Sequence, residues 1–506
     1  MRFLTALAIC KILYFIGSLI GKGSSLPGQA AMKICPGALA RLKLPETIIA
    51  VTGSNGKTST VELLVRALES GGKNVGWNHE GANQIEGVAT LLMRLANFRG
   101  LVKCDAIVFE CDERFARRTF EAVRPSVTVV TNLCRDQLTR NGHPEYIQDC
   151  LRHAIRAAGE RAELVLNADD PYVTALSKPQ NSGPDPGMHD CFWFGVSHGA
   201  LDPLEREIFS SGFSSCPYDD GAFCPECKAR MAYDYRIAGH FGGYSCKGCG
   251  HRRPPPDVEI QGLDLRSGEV SIVIGPESVG SAPGRRTGNS KSKPVPSGSP
   301  GGCISTRLAF PSLTGAYNLA AAIAAAELAG VTAAESARAL NGYELKGGRT
   351  MYLDAGENKC LLLVSKHENS LSYNQSLATA VSRGKPCTVI VLVDSISRKY
   401  YTSETSWLWD VDFNILACEC VKNVALAGRY SSELMARVAM TTVDPGKCSR
   451  VDSLGALKEY AGSCGTDDIY ILTCFADKAK LLKAFKQVRP DKYRRGHPEK
   501  ENRHAK

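Results

Sequence analysis

The stretch Thr52-Gly53-Ser54-Asn55-Gly56-Lys57-Thr58-Ser59-Thr60 follows the apolar run Thr47-Ile48-Ile49-Ala50-Val51 and precedes Val61, Leu64, Val65 and Leu68 at helical spacing. A strand that ends in a glycine-rich turn and opens a helix restricts the chain to an α/β fold. The free backbone N–H groups of the turn and of the helix start point at one place, and a phosphate satisfies them. Gly53, Ser54, Asn55, Gly56, Lys57, Thr58 and Ser59 are therefore read as an ATP-binding loop. Lys57 is placed to neutralise the β- and γ-phosphates, and the Thr58 hydroxyl to reach Mg²⁺. The spacing Gly-x-x-Gly-Lys-Thr is shorter than the commoner Gly-x-x-x-x-Gly-Lys-Thr.

Short β-branched runs recur after this loop at Ala106–Phe109, Val127–Val130 and Leu164–Leu166, alternating with helical stretches, as in a parallel sheet covered on both faces. A second series, Leu361–Val364, Val389–Val393 and Ile469–Leu472, with a helix expected over Phe475–Val488, describes a smaller Rossmann-like α/β domain at the C-terminal side. The expected organisation is an apolar helical segment over 1–45, an ATP-binding domain over 46–340, a C-terminal domain over 341–490 that meets a partner, and a basic tail over 491–506. Two segments interrupt the ATP-binding domain. Residues about 216–256 lose periodicity and read as an inserted module, and about 275–305 is so rich in Ser, Gly, Pro and Lys that it reads as a disordered loop. Asn318–Gly330 is an Ala-rich helix with a glycine cap.

Magnesium needs a carboxylate beside the threonine, and ligands in open α/β sheets gather beyond the carboxyl ends of the strands. Glu110, directly after Ala106–Phe109, is the leading candidate, with Asp112 and Glu113 as rivals. Thr131-Asn132 ends the next strand at the same crevice, with Asp136 just beyond. Cys224-x-x-Cys227 and Cys246-x-x-Cys249 have the spacing of a tetrahedral Cys₄ zinc ribbon, a structural rather than catalytic Zn²⁺ site because no open position is implied. A ribbon invites a nucleic-acid reading. Here Lys228, Arg230, Lys247, Arg252 and Arg253 are interleaved with Asp219, Asp220, Glu226 and Asp234, so no basic stripe forms and nucleic acid is not an expected partner.

Of the 20 cysteines, most are expected to be reduced and buried, since a chain of 506 residues does not need disulfide staples. None sits in a nucleophile turn with a paired histidine, so no glutaminase is expected within the chain. Ser406-Trp407-Leu408-Trp409-Asp410-Val411-Asp412 concentrates two of the four tryptophans beside two acids, a pattern compatible with core packing or with a site. Phe3–Ile20 is apolar but interrupted by Lys11, and no clear small-residue cleavage site follows it. A docked or interfacial amphipathic helix fits better than a signal peptide or a membrane span. The net charge of +9 is spread along the chain, and its densest run is the C-terminal tail.

The loop Thr52–Thr58 resembles that of the Mur ligases, ATP-dependent enzymes that join an amine to a carboxylate through an acyl phosphate. Further matching segments follow in that family's order: Gly81-Ala82-Asn83, Glu110, Thr131-Asn132-Leu133-Cys134-Arg135-Asp136-Gln137, Asn167-Ala168-Asp169-Asp170-Pro171 and Leu313-Thr314-Gly315-Ala316-Tyr317-Asn318. The inserted Cys₄ ribbon, Arg135-Asp136-Gln137 and the Trp407–Asp412 segment are similar to the MurT family, ligase subunits of lipid II isoglutaminyl synthase. Leu26-Pro27-Gly28, after the apolar N-terminal segment, is a further match.

The resemblance implies amidation of the D-glutamate α-carboxylate in the lipid II stem peptide. ATP and glutamine are consumed, and ammonia comes from a separate GatD-like class I glutaminase in a heterodimer. It implies Lys57, Glu110 and Asp410 as catalytic groups, Asp410 completing the partner's Cys-His pair, and it adds Asn132, Asn318 and Arg349 to the nucleotide-binding set. It also implies a cytoplasmic chain, with the inner face of the membrane as a peripheral location.

Two departures stand out. Gly347-Gly348-Arg349-Thr350-Met351 lacks the Glu usual in Gly-Arg-x-Glu, and His367-Glu368-Asn369-Ser370 replaces Asn-Pro-x-Gly after Lys366, leaving the roles of Lys366 and Asn369 open; the role of Asp412 is open as well. The competing readings are an amino-acid ligase of Mur or folylpolyglutamate type that needs no glutaminase, and a zinc-ribbon binding platform with a degenerate ATPase.

Overall fold

The computed structural model describes residues 1–19, 24–78, 81–136, 141–178, 190–211, 219–275, 303–346, 349–356, 358–395, 405–466 and 468–488. Gln137, Gly347, Gly348, most of the expected disordered loop and the basic tail lie outside them. The chain divides into two compact units, Met1–Arg206 with Asp219–Gly347, and Glu207–Tyr218 with Gly348–Lys506.

In the first unit, β1 (Thr47–Thr52), β2 (Val75–Trp77), β3 (Ala106–Glu110), β4 (Val127–Val130), β5 (Glu163–Asn167), β6 (Cys191–Val196), β9 (Val258–Leu263), β10 (Glu269–Ile274) and β11 (Cys303–Arg307) build one sheet. Its order is β11-β10-β9-β6-β5-β4-β1-β3-β2. Pairing is parallel from β2 through β9 and antiparallel from β9 to β11. β1 is an interior strand with both faces covered, which is why its run Ile48-Ile49-Ala50-Val51 is buried throughout and shows no alternation. The chain order reverses around β1, with β3 on one side and β4 on the other, so its carboxyl end is a topological switch point.

The helix α1 (Arg2–Leu19) packs through Ala6, Leu7 and Cys10 into the same core as Ile48, Leu92, Ile107 and Phe109, beside α2 (Leu26–Ile34) and α4 (Ile85–Leu95). The Ala-rich helix begins earlier than expected, at Leu313, where the Ser312 hydroxyl accepts the Gly315 N–H. It ends at Leu328. Gly330, with φ of 84°, sends its N–H to the Glu327 carbonyl, and the Val331 N–H reaches the Ala326 carbonyl, closing the helix in a Schellman turn.

The inserted module holds a hairpin, β7 (Met231–Ala238) with β8 (Phe241–Cys246). At the edge of the expected disordered loop, Cys303–Arg307 forms β11 because the β10 edge offers it a partner.

The second unit has the order β16-β15-β14-β17-β13-β12-β18, with β12 (Thr350–Asp354), β13 (Lys359–Ser365), β14 (Cys387–Leu392), β15 (Val421–Ala427), β16 (Cys448–Val451), β17 (Asp468–Cys474) and β18 (Lys486–Val488). Its inner strands β13, β14 and β17 are largely apolar because each face has its own core. Leu363, Val389, Val391, Tyr470 and Leu472 point one way with Trp407 and Phe413, whereas Leu362, Ile390, Leu392 and Ile471 point the other way with Leu481 and Phe485. The helix expected over Phe475–Val488 stops at Ala484. The last residues instead form β18, antiparallel to β12, where a free edge wins over helical continuation.

Candidate functional site

The glycine-rich turn between β1 and α3 (Lys57–Ser70) holds two residues in left-handed backbone, Gly53 at φ of 125° and Gly56 at 84°. A side chain at either would collide. A Cβ on Gly53 would lie 2.3 Å from the Thr131 hydroxyl, and one on Gly56 2.1 Å from Asn318 Oδ1. Asn318 thus crowds the turn it was expected to serve, and its Oδ1 also accepts the Thr60 hydroxyl at 3.4 Å.

The turn is held from beneath by the segment after β4. Ser54 donates its N–H to the Asn132 carbonyl at 2.8 Å, Asn55 donates its N–H to Asn132 Oδ1 at 2.9 Å, and Asn132 Nδ2 and the Thr131 hydroxyl both donate to the Asn55 carbonyl. The Ser54 hydroxyl donates to the Cys134 carbonyl and accepts the Cys134 N–H. Ser59 lies half-buried in the first turn of α3.

Lys57 is buried. Its ammonium donates to the Gly53 carbonyl and to Glu113 Oε1, the latter at 2.8 Å. Burial alone would lower its pKa, but Glu113, Glu110 and Asp136 outweigh burial and push it above the usual lysine value, so the ammonium stays charged. The Thr58 hydroxyl donates to Glu110 Oε2 at 2.6 Å, Asn83 Nδ2 donates to Glu110 Oε1 at 3.4 Å, and the Glu110 N–H goes to Asn78 Oδ1. Thr58 and Glu110 therefore converge as two hard oxygen donors, a set that suits Mg²⁺. Glu113 takes a different part, the counter-ion of the lysine. Asp112 caps the following turn through the Arg114 N–H. Asn78, which sequence reading passed over, directly follows β2 while Glu110 ends β3, and that position at a strand's carboxyl end is the signal that would have found it.

The ribbon brings Cys224, Cys227, Cys246 and Cys249 together, with all four Sγ atoms within 4.8 Å of one another. Cys224 Sγ and Cys249 Sγ are 3.6 Å apart, and Cys227 Sγ and Cys246 Sγ 3.5 Å. Zinc–thiolate bonds of about 2.3 Å in a tetrahedron place sulfurs about 3.8 Å apart, so the geometry fits a Cys₄ zinc site. The two halves are built alike. Lys228, at φ of 62°, donates its N–H to the Cys224 carbonyl, and Gly250, at 75°, to the Cys246 carbonyl. Among the described residues, no cysteine is in a disulfide.

The ribbon is tied to the nucleotide turn by a buried polar network that the sequence did not display. Asp169 accepts Arg253 Nε, the Val196 N–H and the Tyr317 hydroxyl, each at 2.7 Å, and Tyr317 is the residue before Asn318. Asp170 Oδ2 accepts the Leu133 N–H at 2.7 Å, next to Asn132, and its Oδ1 lies 3.3 Å from His240 Nε2. Arg135 pairs with Asp220 at 2.7 Å.

In the second unit, Asp412 is an internal cap, buried, taking the Asn414 N–H and side-chain amide. Asp410 is half-buried at the end of a short 3₁₀ turn over Ser406–Asp410, next to Trp409, which is 48% exposed. The Arg437 guanidinium lies over the Trp409 ring and donates to the Val411 carbonyl, fixing that turn from behind. Asn369 caps the helix Ser370–Val381 by accepting the Ser372 N–H at 2.8 Å, and the Lys366 N–H donates to the Ser372 hydroxyl. Arg349 enters β12, its carbonyl accepting the Val364 N–H.

Residues 51–185 match the Mur ligase middle domain, and 367–477 match the MurT ligase C-terminal domain. The MurT subunit of the glutamine-hydrolyzing lipid II isoglutaminyl synthase of Streptococcus pneumoniae (strain ATCC BAA-255 / R6) is 26% identical over 91% of this chain and 92% of its own length. Over about nine tenths of its length the chain is similar to MurT subunits of the Mur ligase type. The MurT subunit from Staphylococcus aureus (strain N315) is 24% identical over 88% of this chain and 89% of its own length. The fold is shared with a pseudomurein peptide ligase type C from Methanothermus fervidus, with a TM-score of 0.61 at 19% identity over 88% of this chain and 79% of that one. It is also shared with MurF ligase from Thermotoga maritima in complex with ADP, with a TM-score of 0.57 at 12% identity over 90% and 83%. Members of the Mur ligase family use ATP and Mg²⁺, and a MurT-type subunit implies a partner subunit.

Proposed function

We propose that this MurT-like chain is the ligase subunit of a lipid II isoglutaminyl synthase. It amidates the α-carboxylate of D-glutamate in the lipid II stem peptide to D-isoglutamine, using ATP and ammonia released by a GatD-like class I glutaminase. The observation that carries the reading is the convergence of Lys57, Thr58 and Glu110 on the glycine turn of a MurT-like chain with no glutaminase constellation apparent in its sequence.

In this scheme the substrate carboxylate attacks the γ-phosphorus of ATP, giving an acyl phosphate and ADP. Ammonia then attacks the acyl carbon and phosphate leaves. The turn's N–H groups and Lys57 balance the charge that spreads over the transferring phosphoryl group. Lys57 reaches the nucleotide by exchanging its Glu113 partner for phosphate oxygens. Thr58 and Glu110 would hold Mg²⁺, which supplies charge neutralisation at the β- and γ-oxygens. Cys224, Cys227, Cys246 and Cys249 would hold a structural Zn²⁺. Ammonia in bulk water at neutral pH is mostly ammonium and not nucleophilic, so delivery comes directly from the partner. Asp410, with the exposed Trp409 beside it, would orient the partner's histidine as the third member of a triad. The location that suits these substrates is the cytoplasm.

The test is ATP-dependent amidation of lipid II by the chain with and without a co-expressed glutaminase subunit, with glutamine or ammonium as nitrogen source. Glutamine-driven product that needs the partner and falls at least about 10²-fold in Asp410→Asn, with ammonium-driven product intact, supports both the reaction and the triad role. No amidation from either source, with ATP hydrolysed when an amino acid is offered, supports an amino-acid ligase instead.

A further inference from the structure

The helix α1 is apolar on two faces, and only one is used. Ala6, Leu7 and Cys10 are fully buried against the first unit, while Leu4, Ile12, Phe15, Ile16 and Leu19 are 49–74% exposed. Ile12, Phe15, Ile16 and Leu19 follow three- and four-residue spacing, and Leu4 lies two turns before Ile12 on the same side, so they form a stripe rather than scattered contacts. Leu26, at the start of α2, is exposed too. Gly100 lies against the Phe3 ring, so the turn carrying exposed Phe98, Arg99 and Leu101 adjoins the same end of α1.

Charge says what covers the stripe. Residues 1–45 contain Arg2, Lys11, Lys22, Lys33, Arg41 and Lys43 and no acid, the first being Glu46. Arg2, Lys33, Arg41 and Lys43 are exposed, as are Arg99 and Lys103. A second copy docked on this stripe would bring two uncompensated basic surfaces together, whereas an anionic lipid surface offers apolar depth and opposite charge at once. Crossing the bilayer is excluded by the packed side. The buried face of α1 belongs to the core that contains β1, and the Lys11 ammonium is spent on the Arg94 carbonyl at 2.6 Å.

We infer that α1 is a peripheral membrane-docking surface, lying in the plane of an anionic phospholipid leaflet with Leu4, Ile12, Phe15, Ile16 and Leu19 in the acyl boundary and the flanking basic side chains at the headgroups. It stands independently of the reaction assigned above.

The experiment is co-sedimentation of the full chain with vesicles of phosphatidylglycerol and phosphatidylcholine, against phosphatidylcholine alone, at low and high salt. The expected result is binding to the anionic vesicles at least about tenfold stronger than to the neutral ones, weakened by salt. The triple variant Ile12→Gln, Phe15→Gln, Ile16→Gln should lose about tenfold or more, and Lys33→Gln about fivefold. The triple variant's melting curve and nucleotide affinity should match wild type, since its side chains face away from the core. Equal binding to both vesicle types, no binding, or an undiminished triple variant overturns the inference. So does self-association that the triple variant abolishes without any vesicle binding, which assigns the stripe to a second copy, and so does carbonate-resistant membrane insertion, which assigns it to a span.

Discussion

Replacing Arg253 by Leu removes the cation from a carboxylate that has no access to water. The Asp169 side chain is 0% exposed and that of Arg253 16%, and Arg253 Nε lies 2.7 Å from Asp169 Oδ1. The Val196 N–H and the Tyr317 hydroxyl both go to Oδ2, so the variant strips the described donor from Oδ1. Taking one partner from a buried pair costs about 3–5 kcal/mol because the remaining charge is left unsolvated. Since Asp169 keeps two donors, the lower end, about 3 kcal/mol, is expected. Leu fills the space of the aliphatic stem, which keeps the cavity term small. Asp169→Asn in the Arg253→Leu background should return a large part of the loss, giving a coupling energy of about 2 kcal/mol or more. The assay is urea unfolding of the first unit, followed by Trp77 and Trp193 fluorescence in a Trp407→Phe, Trp409→Phe background. Because Tyr317 adjoins Asn318, KM for ATP should rise as well. A cost below about 1 kcal/mol, or single effects that add within about 0.5 kcal/mol, would refute the reasoning that this pair braces the site.

Gly56→Ala should raise KM for ATP about tenfold or more and destabilise the first unit by about 1–2 kcal/mol, because the left-handed backbone and the nearby Asn318 side chain both oppose a Cβ; unchanged nucleotide affinity by fluorescent-analogue titration would count against it. At His240, burial favours the neutral ring, but the Asp170 carboxylate outweighs it and the pKa is raised above 6.5. Its contribution is therefore complete below about pH 6.5 and is lost as pH rises through the folded value, so the difference in melting temperature between wild type and His240→Gln should shrink toward pH 8.5; a difference that grows with pH contradicts the pairing. Asn369→Ala should cost about 1 kcal/mol of second-unit stability by loss of the helix cap and Asn369→Asp almost nothing, with amidation retained in Asn369→Asp; loss of activity in the Asp variant would make Asn369 a substrate contact instead.

The nucleotide turn was readable because strand, glycines and helix are contiguous, and local backbone geometry alone decides where the lysine sits. The clustering of the four ribbon cysteines was readable for the same reason, each pair being bound by a two-residue spacing. Glu110 was recoverable from the rule that sheet ligands collect at strand ends, but its distinction from Glu113 was not, since three residues separate them and only side-chain direction sends one to Thr58 and the other to Lys57. Asn369 after a strand reads equally as a ligand or as a cap. β18 was missed because three residues carry too little periodicity to reveal that an edge is waiting for them. The Asp169–Arg253–Tyr317 network joins positions 84 and 148 residues apart, beyond any local pattern.

The ribbon hairpin lies in the chain between β6 and β9, which pair directly and in parallel. A parallel neighbour needs a crossover, and here that segment holds the short helix Pro203–Ser211 and then the four-cysteine ribbon. The last three strands of the nine-stranded sheet, β9, β10 and β11, all follow that module in the chain. With the proposed Zn²⁺ in the ribbon, assembly of the sheet would be ordered in time: the side that contains β1 would form from its own contacts, whereas the opposite edge would follow metal binding. Chelation should thus convert a cooperative domain into one that frays from a single side, with amides of β9 to β11 exchanging first while those of β1, β3 and β4 remain protected.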